Sequence, residues 1–383
     1  MRKKLSLILT CMAVEGYLLY GAMAVGSTGK WAQLESYWDK LLSFVYILVL
    51  IKILVDRNSW LDWLTVIGFA GLTELTRITT QTNAVIWFAT GVILAKEIDL
   101  KKVLQVDLSG RFFIGILLMV LPMVGIYPSY SVIRDDGRLR TCFGWAHPNE
   151  LGLFFLMICI LWFYFRFEKW NWKDTVAMLC SAAIIDYYAN SRMSELCIVG
   201  LAFLGMAGVV GRRKLSAERR IKIYALAGYM VLFGGLIGTW GLFHWNIEGT
   251  QWQYKLPDTL ASRLIYAHNF WAAEGFSFAG QMFDETIYHY LDMMYAYLSL
   301  NMGFLVLLMF MVLSVIAIRG AWKQRDEKML LIFFIFACYS LVEHEHFKML
   351  SGFYPLLLGY YFWPFLDEIR GWIQVKTGFG GHK

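Results

Sequence analysis

Three arginines, Arg134, Arg138 and Arg140, fall within seven residues of a chain that is otherwise strongly apolar. They run into Thr141-Cys142-Phe143-Gly144-Trp145-Ala146-His147-Pro148-Asn149, and that His-Pro-Asn opens an apolar run of helix length. Guanidinium groups bind phosphate through paired hydrogen bonds and stay charged in a low-dielectric site. Two or three of them together suit an anion carrying two phosphates. The plainer reading pairs them with Asp135 and Asp136, or with lipid headgroups.

Further candidates stand later in the chain. Arg192 follows Asn190-Ser191 at a helix end, with Asp186 behind it and Glu195 three residues ahead as a plain ion-pair partner. Arg263 lies in Leu260-Ala261-Ser262-Arg263-Leu264, where Leu260, Leu264, Ala267 and Trp271 predict an amphipathic helix on a membrane surface. His289 and Asp292 precede another apolar run, and either type could take a proton from a sugar hydroxyl. Against this, Asp is common as a simple helix cap. Glu343-His344-Glu345-His346 has metal-ligand residue types, but alternate residues on a helix do not share a face. No metal and no cofactor is expected. Glu343 or His346 could still contribute to a site, whereas Glu15 and Glu74 carry no assignment. Trp31, Trp38, Trp245 and Trp252 read as interface anchors rather than sugar platforms.

The elements that position these residues follow from composition. The 383 residues are 58% hydrophobic and 17% charged, with mean hydropathy +0.51, against about 25% charged in soluble domains. This describes an integral membrane protein, all-α and polytopic. The net charge of +6 sits in short loops between apolar runs, the signature of membrane orientation rather than nucleic-acid binding. The six cysteines show no paired spacing and read as free thiols. Spans of about 20 apolar residues are expected near 5–25, 40–55, 60–76, 82–97, 111–128, 148–165, 173–190, 194–211, 221–243, 291–318, 329–343 and 350–366, making about 12 helices. The N-terminal run has signal-peptide features, but so many later spans favour a signal anchor. Most of the 35 Lys and Arg residues fall on the N-terminal side of this arrangement. Both termini are therefore expected in the cytoplasm. The whole chain reads as one transmembrane domain, 1–383, with an extracytoplasmic loop at 244–290 that bears the membrane-surface helix.

Four groups of residues carry a resemblance. They are Arg140-x-x-x-Gly144-x-x-His147-Pro148-Asn149-x-x-Gly152, then Asn190-Ser191-Arg192, Leu260-x-x-Arg263 with Gly280, and Asp292-x-x-Tyr295 with Gly303. In this order the chain resembles bacterial polysaccharide polymerases of the Wzy type, in the wider O-antigen polymerase and ligase group. The resemblance implies an outward-facing glycosyltransferase that joins oligosaccharide units carried on undecaprenyl diphosphate, for capsule, exopolysaccharide or O-antigen. Arg192 and Arg263, with Arg140, Arg138 and Arg134, would hold the diphosphate. Asp292 and His289 would be catalytic, and His147, Asn149, Tyr295 and Glu343 would line the substrate cavity. The ligases of the group carry a histidine where Asp292 stands here. The partners implied are lipid-linked oligosaccharide, membrane lipids, a chain-length regulator and a flippase. The rival readings are a glycan ligase and a non-enzymatic flippase of the lipid-linked unit.

Overall fold

A computed structural model describes residues 1–24, 35–127, 129–133, 137–256, 258–288, 290–349 and 352–377. The protein is mostly helical, at 79%, as expected where hydrocarbon offers the backbone no hydrogen-bond partner and helices satisfy it internally. The helices are α1 (Arg2–Ala24), α2 (Glu35–Val55), α3 (Trp60–Thr80), α4 (Ala84–Leu94), α5 (Leu100–Met123), α6 (Pro148–Arg166), α7 (Trp172–Tyr188), α8 (Arg192–Lys214) and α9 (Ala217–His244). They continue with α10 (Gln251–Lys255), α11 (Asp258–Glu274), α12 (Glu285–Tyr288), α13 (Met294–Ala296), α14 (Phe304–Lys323), α15 (Glu327–Ser340) and α16 (Tyr354–Thr377). Six of them, α1, α5, α6, α8, α9 and α14, are long and apolar enough to cross a membrane. At 11, 17 and 14 residues, α4, α7 and α15 are shorter. Charged residues punctuate α2, α3 and α16.

Three expectations change. The arginine-rich segment is not a plain loop: Tyr130–Ile133 (β1) and Leu139–Phe143 (β2) pair antiparallel, with Arg140 opposite Val132. Gly137 turns the chain between them at a φ of +80°, while Arg134, Asp135 and Asp136 lie outside the described residues. The fifth span begins at Leu100 rather than near 111, because the Asp99 side chain caps the helix there. Arg111 is therefore mid-helix, not a loop cation. The tenth span does not start at 291. Residues 290–293 are non-helical, a π-helical turn occupies Tyr297–Met302, and Gly303 breaks the chain before α14.

The chain forms two compact units. The first comprises Met1–Ile67, Trp87–Lys214 and His346–Lys383; the second comprises Gly68–Ile86 and Leu215–Glu345. Several buried charges inside the first unit are matched. Lys52 pairs with Asp56 one turn on and donates to the Lys96 carbonyl, Ser6 donates to Asp56, and Lys96 reaches Asp62 at 2.7 Å. Lys52 is fully buried, and such a charge persists in an apolar interior only when partnered. In the second unit α9 is the longest helix and packs along α15, where Arg220 grips Glu327 with both Nε and Nη2.

The break before α14 rests on two glycines. The carbonyls of Ser277 and Phe278 accept the amides of Phe304 and Leu305, two of the orphan donors at a helix start. Gln281 and Asn301 exchange hydrogen bonds alongside, and Thr79 holds the Ala279 carbonyl. This brings Gly280 and Gly303 into backbone contact: a Cβ on Gly303 would sit 2.2 Å from the Gly280 nitrogen, at a φ of +92°. Gly303→Ala is expected to cost about 2–5 kcal/mol through strain and overlap together, lowering the melting temperature in detergent by several degrees. Gly234→Ala, where a Cβ meets nothing within 4 Å, is the matched control and should leave melting unchanged or slightly raised.

Candidate functional site

The motif around Arg140 builds a junction in the first unit. Arg140 Nε donates to the Ala189 carbonyl at 2.8 Å, and its Nη2 donates to Asn149 Oδ1 at 2.8 Å. Gly144 lies where a Cβ would press on the Leu118 carbonyl at 2.8 Å, and its own amide donates to that oxygen. His147 caps α6, its Nδ1 accepting from the Asn149 amide at 3.2 Å. Pro148 occupies the first helical position, where the missing N–H costs nothing. A Cβ on Gly152 would meet Ser191 at 2.4 Å, so the glycine lets α6 approach the start of α8. Asn190 takes a left-handed conformation, φ +46°, and its amide bonds the Ile185 carbonyl to close α7. Its side chain donates to Asp186.

The residues named from this motif therefore hold one another. Arg140, His147 and Asn149 fix the α7–α8 turn, and Arg192 stands at its end. Arg192 is exposed, and among the described residues it donates no hydrogen bond and closes no ion pair, so the plain pairing with Glu195 does not form. It begins α8, where helix amides and dipole also favour negative charge. Arg138 is exposed on the hairpin. Cys142, on β2, is buried, and burial pushes its thiol up to about 11, so it stays protonated.

In the second unit one guanidinium joins three distant segments. Ala261, Leu264, Ala267 and Phe270 form the buried face of α11, which packs against α9. His268 Nδ1 meets the Phe243 carbonyl at 2.8 Å. Arg263 extends to Asp292 through Nε, at 3.0 Å, and to Glu343 through Nη2, at 2.7 Å. Asp292 caps no helix; it sits on the extended segment ahead of α13. Glu343 follows the end of α15 and is buried. Burial alone would lower the Arg263 pKa, but the charges and hydrogen bonds of Glu343 and Asp292 outweigh it and leave it above its ordinary value.

Sequence reasoning missed two members of this site. His344 Nδ1 lies 3.2 Å from the Asp292 carbonyl, its Nε2 pairs with Glu345, and its ring stacks on Tyr297 at 4.0 Å. The pair thus holds the Asp292 backbone. The signal was present in Glu343-His344-Glu345-His346, but the spacing only suggested metal ligands. Among the described residues no group of three or more His, Cys, Asp or Glu could hold a metal ion. Tyr295 is fully buried, with its ring against Gly235 of α9. His289 lies outside the described residues. Glu74 is accounted for by an exposed pair with Arg77.

No family model, characterised protein or solved structure matches this chain.

The two sets of residues have different chemistry. Arg192 is a cation open to an incoming anion. Arg263 is already spoken for by two carboxylates, so the bridge as ionised carries a net negative charge. A carboxylate fixed in this way can accept a proton, and the arginine keeps it oriented. Removing Arg263 would leave two like charges facing each other with little solvent, at side-chain exposures of 29% and 9%. Arg263→Leu is therefore expected to destabilise by about 1–3 kcal/mol, the lower range for a partly exposed pair, whereas Arg192→Leu should fall within about 0.5 kcal/mol of the parent. Thermal unfolding of the two purified variants in one detergent checks the contrast.

Proposed function

We propose that the protein is a membrane glycosyltransferase that polymerises undecaprenyl-diphosphate-linked oligosaccharide repeat units on the outer face of the bacterial cytoplasmic membrane. On this reading about twelve helices cross the bilayer, both termini are cytoplasmic, and the 244–290 segment is extracytoplasmic. The observation that carries it is the Arg263 bridge: a guanidinium orienting two carboxylates, beside a break in a helix otherwise apolar enough to cross a membrane. Such a centre suits deprotonation of a hydroxyl, and π-helical turns of the kind next to it frequently mark functional sites.

The chemistry needs little else. A sugar hydroxyl of one lipid-linked unit attacks the anomeric carbon of another chain. The bond from that carbon to the phosphate oxygen breaks, and its electron pair leaves with the lipid diphosphate. The hydroxyl proton passes to Asp292, whose Oδ2 faces Arg263 and whose Oδ1 is left for the acceptor. The resemblance assigns the diphosphate, whose charge rises as it departs, to Arg192. Arg263 becomes a positioning residue rather than a phosphate ligand, because its hydrogen bonds are committed to carboxylates. His147, Asn149 and Arg140 support Arg192 from beneath, and Glu343 shares Arg263 with the base.

The test is polymer length and lipid-linked intermediates in cells expressing variants at equal level. Asp292→Asn should slow chain growth by about 10²–10⁴-fold, the usual worth of a general base, and Arg192→Ala should shorten chains, with partial rescue by Arg192→Lys. Single lipid-linked units should accumulate on the outer face. Full-length lipid-linked polymer accumulating instead would identify a ligase, and units trapped on the inner face a flippase. Normal long chains in both variants would remove the assigned roles altogether.

A further inference from the structure

Arg111, in the first unit, is a buried charge whose hydrogen bonding is incomplete among the described residues. It sits near the middle of α5, only 2% exposed, and its Nε donates to Asp107 Oδ2 at 2.9 Å. Its guanidinium lies over the rings of Phe154 and Phe353, at 5.6 and 5.7 Å. Its Nη1 has no hydrogen-bond partner among the described residues, and neither does Asp107 Oδ1 or Glu15 Oε1. Glu15 reaches the pair from α1, and Gly110 is small because Glu15 Oε2 would stand 1.9 Å from a Cβ there.

Beside Arg111 is a cavity of about 340 Å³ between α5, α6 and α7. Its other walls are apolar and aromatic, with Phe112, Ile116, Phe154 and Trp162 prominent, and Arg111 is the one charged residue lining it. Ser181, on the α7 wall, already donates to the Ala177 carbonyl. Phe112, Ile116 and Trp162 are all exposed, so the rim opens on the outer surface of α5 and α6, which in a bilayer faces lipid. The volume falls at the lower end of the range for small-ligand pockets.

We propose that this cavity binds an uncharged membrane molecule: an apolar chain whose buried end carries an oxygen acceptor for the Arg111 guanidinium. Apolar walls select the chain, and the cation that lines them, with a single hydrogen bond among the described residues, selects the oxygen. Charge selects neutrality. Arg111 and Asp107 offset each other, Glu15 lies within electrostatic reach of both, and an anionic ligand would add repulsion in a low-dielectric setting. Depth points the same way. Arg111 lies eleven residues beyond the first residue of α5, roughly 16 Å along the axis at 1.5 Å per residue, close to the middle of a hydrocarbon layer of about 30 Å. Phospholipid headgroups do not reside there, whereas a long-chain alcohol or a chain-bearing quinone can bring a hydroxyl or carbonyl oxygen to it. The two share this chemistry, and the binding site is independent of the transfer reaction proposed above.

The test uses the full chain in phospholipid nanodiscs, titrated with dodecanol, with a decyl-substituted benzoquinone, and with dodecane as the oxygen-free control. Bound molecules are counted by native mass spectrometry. Saturable binding of the alcohol, the quinone or both, at one per chain, is expected, and whichever binds identifies the source of the oxygen. Dodecane should bind about tenfold or more weakly, as should the oxygenated probe to Arg111→Lys, which keeps a cation for Asp107 but withdraws the guanidinium donors. Ser181→Trp, which fills the cavity from the α7 wall and leaves the ion pair intact, should abolish saturable binding and serves as the check if Arg111→Lys fails to fold. Absence of saturable binding by both oxygenated probes, dodecane binding equal to theirs, or undiminished binding in Ser181→Trp would each overturn the proposal.

Discussion

A charge placed in an apolar interior has to be met, and much of this protein is organised around that demand. Hydrocarbon solvates neither guanidinium nor carboxylate, so several buried ionisable side chains draw distant segments together until they are partnered. Lys52 and Lys96 tie α1, α2, the start of α3 and the end of α4 through Asp56, Asp62 and Ser6. Arg220 ties α9 to α15. Arg263 does the same for α11, the stretch before α13 and the end of α15. In each case the pairing costs desolvation and returns little net stability, but it fixes which segments meet.

The same physics separates arginines with committed hydrogen bonds from those left open. Arg140 is held by Asn149 and the Ala189 carbonyl, so it defines a turn. Arg192, at the end of that turn, is left open. Arg263 is committed to two carboxylates, so an arginine with the look of a phosphate ligand holds Asp292 and Glu343 in place. Glycine has a parallel part: Gly144, Gly152, Gly280 and Gly303 are each small because backbone or a neighbouring side chain occupies the space a Cβ would need. Together they allow two tight crossings, one beneath Arg192 and one beside the break before α14.

Arg111 stands outside this pattern. It has Asp107, but it also lines an otherwise apolar cavity on the side of α5 and α6 that faces lipid. Several buried donors lack a hydrogen-bond partner among the described residues, and Arg111 is the one of them that borders this cavity.

Much of the fold was legible from composition and periodicity. The apolar runs, the helical character and a helix around Arg263 all follow from which residues interrupt an apolar chain. What the linear pattern could not supply was partnership. Arg263 lies 29 residues from Asp292 and 80 from Glu343, and no local rule links positions so far apart. The β-hairpin escaped because its strands are short and its register comes from packing on the ends of neighbouring helices. The non-helical start at Asp292 escaped because apolar residues continue straight through it, and only the approach of the 277–281 segment breaks the helix at Gly303. The helix start at Leu100 escaped for a related reason: the apolar run after Arg111 is unbroken, while the residues before it are largely polar. Sequence thus fixed where charge is costly in this protein, and tertiary structure alone decided which groups offset that cost, because electrostatic partnership depends on distance in space rather than along the chain.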